Sequence, residues 1–318
     1  MIYKNLLYIG FLAVALHSCK EDYKGIKTQT PSNSNNSDPV KLELGLVETV
    51  QKQTYAYVTN AKNSKVTLCS INEAGNLENC SDDNHTFSRP GGIAIKNRKI
   101  YVSNYGSKKV TICSISEAGN LENCSDNNHV FSSPVDLAIH KGKIYVSNYE
   151  SNKVTICSIN EAGNLENCTD DNHTFSRPYG IAIKNRKIYV SNYGSKKVTI
   201  CSINEAGNLE NCTDDNHTFS SPNGIAIKNR KAYVSNYEGK ISICSINKSG
   251  KLTKCTDTSH NFSYPEGIII NNGKAYVMNF GSEKVSICSI NKSGELTECA
   301  DASYEFGQPI DIAIAKAP

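Results

Sequence analysis

The chain of 318 residues contains no Trp and only two Met, and its mean hydropathy is −0.42. Hydrophobic residues make up 38%, a small share for one thick core in a chain this long. A surplus of one charge is also lacking. Lys and Arg number 34 against 31 Asp and Glu, for a net charge of +3, and this near balance argues against a nucleic-acid-binding protein, whose basic surplus should be larger. No segment sustains a helical period. There is no nucleophile-elbow Ser motif, no phosphate loop and no closely spaced zinc-type Cys pair. Cysteine is what abounds. Thirteen Cys are too many for a reduced cytosolic enzyme without a metal cluster, and the odd count leaves one with a separate job.

The odd cysteine is Cys19. A single positive charge, Lys4, precedes an apolar run from Leu6 to Leu16, which has the size of a signal-peptide core and is too short to span a bilayer. The run ends in Leu16-His17-Ser18-Cys19, which resembles a bacterial lipobox, whose Cys is lipidated and becomes the first mature residue. Lys20-Glu21-Asp22 follows. The absence of Asp directly after the Cys implies sorting to the outer membrane, on its periplasmic or cell-surface side. Residues 23–39 have almost no apolar content and read as a flexible tether. The expected organisation is a signal peptide over 1–18, a lipid-anchored tether over 19–50 and a folded unit over 51–318.

The other twelve cysteines form six pairs, each separated by 11: Cys69/Cys80, Cys113/Cys124, Cys157/Cys168, Cys201/Cys212, Cys244/Cys255 and Cys288/Cys299. The pairs recur at intervals of 44 or 43, a repeat signature. One unit reads as four short strands: Gly92–Ile95, Ile100–Ser103, Val110–Ile115 and Leu121–Cys124. β-Branched and aromatic residues fill the runs, and Gly, Asn, Ser and Lys fill the gaps. This predicts an all-β, six-bladed β-propeller of four-stranded antiparallel blades. The first hairpin has no inner strand ahead of it, and the chain ends with an unpartnered one, Pro309 to Ile314. The C-terminal strand should therefore close the ring beside Tyr55–Thr59, removing its open edges. The rival inner strand, Leu42 to Val50, lacks the Pro and Gly punctuation of the others.

Tyr57-Val58-Thr59-Asn60 recurs as Tyr101-Val102-Ser103-Asn104 and in three further copies, and departs last to Tyr276-Val277-Met278-Asn279. These segments resemble the YVTN family of β-propeller repeats over roughly residues 51–318, and less specifically the wider NHL and lactonase-like propellers. The resemblance implies the architecture. It leaves function open, because such rings host lactonases, lyases and pure binding proteins.

A four-residue turn at Glu117–Asn120 would set Ser116 opposite Leu121 and Cys113 opposite Cys124, at a separation suited to a disulfide. A three-residue loop with a Gly bulge would shift this register by one. All twelve Cys are expected to form one disulfide per blade, not metal sites.

Blade connections such as Asp82-Asp83-Asn84-His85 and Asp126-Asn127-Asn128-His129 do not match a Ca²⁺ loop, and are expected to satisfy backbone groups. Tyr105, Tyr149, Tyr193, Tyr237 and Phe280 either pack between blades or form a rim on one face. The repeats differ most where each inner strand begins, which in a propeller surrounds the central opening. Arg89, Asp136, Arg177, Tyr179, Asn223, Glu266 and Asp311 are therefore candidate ligand-binding residues. No cofactor is expected in the leading reading; Asp136, Glu266 and Asp311 are the candidate ligands for Ca²⁺ in the alternative one. No catalytic residue stands out. Residues 92–115 and 180–203 are identical, and a uniform ring offers few distinct acid, base and nucleophile roles. The leading expectation is a monomeric, lipid-anchored envelope ring that binds a protein or glycan and no nucleic acid, with the enzyme question open and leaning against catalysis. The alternative is a Ca²⁺-dependent lactonase or hydrolase acting at the central opening.

Overall fold

A computed structural model describes residues 52–317. The expected signal peptide, Cys19 and the expected tether over 19–50 lie outside the described residues. Six four-stranded antiparallel sheets form the blades of a β-propeller. Blade 1 combines the C-terminal strand Pro309–Lys316 with Thr54–Asn60, Lys65–Ile71 and Leu77–Asp82. Blades 2 to 6 begin with the inner strands Pro90–Lys96, Pro134–His140, Pro178–Lys184, Pro222–Lys228 and Pro265–Asn271. Closure by the C-terminus thus holds, with Tyr57 opposite Ala313 and Val58 opposite Ile312.

Burial along each strand follows its place in the blade. The second strand is covered on both sides by neighbouring blades, so Ile100 to Asn104 is buried throughout and reads as a continuous apolar and small-residue run. The outer strand Leu121–Asp126 is mostly exposed and carries its charges outward. The core is a set of six layers between blades. One layer joins Tyr101, Ile112, Phe131, Leu137, Val146 and Cys157 of blades 2 and 3. Thin layers of this kind need fewer apolar residues than one central core, which accounts for the modest hydrophobic fraction.

Each seam also carries a hydrogen bond from a Tyr hydroxyl to a Gly carbonyl. The Tyr101 hydroxyl donates to the Gly163 carbonyl of the next blade at 2.9 Å, and Tyr276 donates to Gly75 at 2.8 Å across the closing seam. Within a blade, Asn104 Nδ2 donates to Thr111 Oγ1 at 2.8 Å, and Thr111 donates to Asp126 Oδ1 at 2.6 Å. The next residue turns the chain. Asn127 Oδ1 accepts the His129 N–H at 2.9 Å, and His129 packs edge-on against Phe131. The acidic and His runs are therefore occupied in building the connection between blades.

The hairpin register differs from the four-residue turn. Ile115, not Ser116, faces Leu121. Gly119, at φ +88°, donates to the Ser116 carbonyl, and Ser116 N–H bonds to Asn120 O, giving a three-residue loop closed by a Gly bulge. A second irregularity follows, with Asn123 at φ +51°, after which Ile112 faces Ser125. Two one-residue corrections thus return Cys113 to Cys124.

All six expected disulfides are present: Cys69–Cys80, Cys113–Cys124, Cys157–Cys168, Cys201–Cys212, Cys244–Cys255 and Cys288–Cys299, with Cα separations of 4.0 to 4.1 Å. The setting of the second Cys departs from the expected unbroken hairpin. Cys80, Cys124, Cys168, Cys212, Cys255 and Cys299 each follow directly on a residue of positive φ, respectively Asn79, Asn123, Asn167, Asn211, Lys254 and Glu298. In every blade the ladder is interrupted there. The bulge supplies the extra residue that realigns the two cysteines across the strands. It also sets the two sulfurs in unlike surroundings. The first Cys of each pair is fully buried in the layer between blades, while the second, on the outer strand, is half-buried.

Candidate functional site

The starts of the six inner strands stack two rings of side chains around the axis. The upper ring is Gly91, Val135, Tyr179, Asn223, Glu266 and Ile310, and all six line an open cavity of about 370 Å³ at the mouth. The lower ring is Gly92, Asp136, Gly180, Gly224, Gly267 and Asp311, and all six line a channel of about 350 Å³ beneath it. Below these the channel wall is aliphatic, with Ile181, Ile225, Ile268 and Ile312.

The backbone of the upper ring is held alike while its side chains differ. Thr59 Oγ1 donates to Gly91 O at 2.6 Å, Ser103 Oγ to Val135 O at 2.8 Å, and Ser147 Oγ to Tyr179 O at 2.5 Å. Ser191 and Ser235 do the same for Asn223 and Glu266. Each hydroxyl belongs to the preceding blade, so the Thr or Ser of the repeated tetrapeptide clamps its neighbour. At the last seam Met278 stands in that place, fully buried in the apolar layer. The lower ring is crowded. A Cβ on Gly180 would lie 2.4 Å from Asn223 O, and one on Gly92 would lie 2.4 Å from Asp136 Oδ1. Glycine at these two positions lets adjacent blades meet and leaves room for the carboxyl group.

Asp136 and Asp311 are the two carboxyls of this ring. Asp136 accepts from Leu137 N at 2.6 Å and from Ile181 N of the next blade at 2.7 Å. Asp311 accepts from Ile93 N of blade 2 at 3.1 Å. Both therefore reach the backbone of a neighbour. Burial pushes both carboxyls up from their ordinary range, and Asp136 raises Asp311 further. Glu266 sits above them and is 6% exposed. Burial pushes it up to about 8, while the neighbouring Tyr179 hydroxyl acts in the opposite direction. Its Oε2 is buried without a partner, as is Asn223 Oδ1. Tyr179 lines both cavities, and burial, with the nearby Glu266 and Asp136 charges, raises its phenol.

Around the mouth stand Tyr105, Tyr149, Tyr193, Tyr237 and Phe280, each half-buried and facing the cavity, with Ala61 opening the sixth place. These aromatics form the rim. Tyr149 lies 6.4 Å from both Tyr179 and Tyr193, and Tyr237 stacks on Tyr264 at 4.8 Å. Arg89 lines the mouth with its guanidinium 5.1 Å from the Tyr105 ring. Arg177 is exposed over Tyr149 at 5.8 Å and lies outside the cavity lining. The repeats hinted at the importance of these strand starts. They did not distinguish the two levels, because adjacent residues on an inner strand fall in different cavities.

The three carboxylates proposed for Ca²⁺ do not line one cavity. Glu266 opens to the mouth, whereas Asp136 and Asp311 face the channel and already accept backbone N–H groups. Among the described residues no group of three or more His, Cys, Asp or Glu is arranged to hold a metal.

Residues 47–183, under half of the chain, match the family described as Lactonase, 7-bladed beta-propeller. The present ring has six blades. No curated protein matches the chain. Among solved structures, a chain of a nidogen/laminin complex superposes with a TM-score of 0.66 at 11% identity, covering 83% of this chain and 99% of that one. A candidate 6-phosphogluconolactonase from Bacteroides fragilis gives 0.63 at 14% identity, covering 88% and 100%. The periplasmic gluconolactonase of Pseudomonas aeruginosa gives 0.62 at 12% identity, covering 84% and 100%. At these identities the superpositions establish the fold.

The family match and the two lactonase-named neighbours correct the expectation of a non-catalytic ring that binds a protein or glycan. The physical reason is where the uniformity lies. The identical stretches build strands and seams, while the upper ring has a different residue in every blade. Uniform strands therefore say little about chemistry at the mouth.

Proposed function

We propose that the protein is a lactonase-type hydrolase whose active site spans the mouth and throat of the ring. The observation that carries this reading is the buried Glu266 carboxyl, its Oε2 unpartnered, set beside Tyr179 and above the Asp136/Asp311 pair. Its weight is increased by the family match over residues 47–183.

Lactone hydrolysis needs a base for the attacking water and an acid for the leaving ring oxygen. Water adds to the carbonyl carbon as its proton passes to a carboxylate. The tetrahedral intermediate then collapses, the ring C–O bond breaks, and the alkoxide takes a proton to give a hydroxy acid. Glu266 is protonated at neutral pH and serves as the acid. Burial raises both Asp136 and Asp311, and the charge on one disfavours ionisation of the other, so the member of the pair that ionises first serves as the base. Tyr179 lines both levels and orients the carbonyl. The half-exposed aromatic rings give a flat polyhydroxy lactone faces to lie against, and Arg89 suits an anionic substituent. No step requires a metal ion.

The YVTN-type repeat, the lipobox at Cys19 and the six disulfides support action outside the cytosol, from a lipid anchor in the cell envelope. Proton release from five- and six-membered aldonolactones tests the catalytic reading. Turnover above the spontaneous rate is expected, with Glu266→Gln and Asp136→Asn each lowering it about 100-fold or more. No turnover of any lactone by the oxidised full chain would overturn it.

A further inference from the structure

The face opposite the mouth carries the turns between inner and second strands and the tips of the disulfide hairpins. On blades 2 and 4 these two turns neutralise one another. Arg98 meets Glu117 at 3.2 Å, and Arg186 approaches Glu205 at 3.8 Å. Blade 5 breaks this arrangement. Its Arg230 occupies the same place, but the position of Glu117 and Glu205 is filled by Lys248. Arg230 Nε donates to Ile246 O at 3.3 Å, and among the described residues its guanidinium has no carboxylate partner.

The rest of the blade 5 hairpin changes in the same direction. The blade 4 hairpin carries Glu205 and Glu210, where blade 5 has Lys248 and Thr253. Asn208 and Asn211 are replaced by Lys251 and Lys254. A charge of −2 thus becomes +3 on a hairpin of the same fold. Lys248, Lys251, Lys254, Lys228 and Arg230 are all exposed. The blade 6 turn adds exposed Lys292 beside the sector, and Glu295, held by Asn291 and Ser293, marks its edge. A whole-chain net charge of +3 conceals this local concentration.

We propose that this basic sector docks the ring on a bilayer rich in anionic lipid headgroups, leaving the mouth turned to solvent. Lysines on flexible stems act as point charges toward a fluid layer of phosphates, each contributing through its own proximity. Single-stranded nucleic acid would call for aromatic platforms among the cations. The exposed large apolar side chains of the described residues are Val130 and Tyr264, and neither belongs to the sector. The inference is independent of catalysis, since none of these residues lines the mouth or channel.

Co-sedimentation of the full chain tests it, with vesicles of phosphatidylcholine alone and vesicles containing about one-third phosphatidylglycerol, at about 0.1 M salt. Substituting Lys248→Glu, Lys251→Asn, Thr253→Glu and Lys254→Asn gives blade 5 the blade 4 charges on a hairpin already compatible with the fold. The excess partitioning onto anionic vesicles is expected to fall about 100-fold, on the basis of roughly tenfold or less per lysine near the surface. Partitioning onto neutral vesicles and lactone turnover should not move. Installing the reciprocal substitutions in blade 4 of that variant should restore anionic binding. Unchanged partitioning, equal loss on neutral vesicles, or native binding to an RNA homopolymer without preference for anionic vesicles would each overturn the proposal.

Discussion

The seams between blades and the rings at the axis are built from the same repeat under opposite rules. Every seam has the Tyr hydroxyl to Gly carbonyl bond, from Tyr57 to Gly119 around to Tyr276 to Gly75. The upper ring has no two residues alike. Ser103, Ser147 and their counterparts join the two regions, because they fix the ring backbone without touching its side chains. Repetition thus supplies rigidity, and chemistry can vary at six points without changing the frame.

The first way to break this contrast is to remove the covalent part of the frame. Each disulfide closes a short loop and contributes about 3 kcal/mol in the chain-entropy model. Full reduction should therefore unfold the ring near 37 °C, followed by circular dichroism, and a melting curve unmoved by reductant would show that the bridges are dispensable.

A smaller effect concerns the axial carboxyls. Glu266 is raised from an ordinary value of 4.5 to about 8 because its charged form is desolvated. The folded state then binds the proton more tightly than the unfolded state. Its stabilising contribution is complete below about pH 4.5 and is lost as pH rises through about 8. Unfolding free energy should fall between these values by up to about 1.4 kcal/mol per pH unit from this group. Glu266→Gln should flatten that part of the slope in urea titrations, leaving the same-signed share of Asp136 and Asp311. An identical slope in the variant would mean that Glu266 is ionised in the native ring.

The smallest effect sharpens the comparison. Tyr145→Phe removes a buried bond to Gly207 O and should cost about 1–2 kcal/mol of stability with little change in turnover. Tyr179→Phe should do the reverse, lowering turnover at nearly constant stability. Equal stability losses in both would erase the distinction between seam and ring.

The frame was largely legible in the sequence. The period of the cysteines, the tetrapeptide ending in Asn and the unpaired strand at Pro309 foretold six blades and their closure. The hairpin register stays open between a four-residue turn and a three-residue loop in the sequence, because the bulge at Asn123 compensates the Gly119 loop and the Cys spacing is the same with or without that compensation. At the axis, Asp136, Glu266 and Asp311 were identifiable as breaks in the repeat. Their division between two cavities was not, because neighbours such as Glu266 and Gly267 alternate between mouth and channel only once the strand is placed. Burial of Glu266 without a partner for Oε2 depends on neighbours from other blades, which no local motif records.

The most direct test of the central claim is the pH dependence of kcat for aldonolactone hydrolysis. With a buried, protonated Glu266 as the acid, kcat should be sustained at neutral pH and fall tenfold per unit above about 8, and Glu266→Gln should lose both the rate and that limb. A rate that continues to rise through pH 9, or a Gln variant with the native profile, would contradict it.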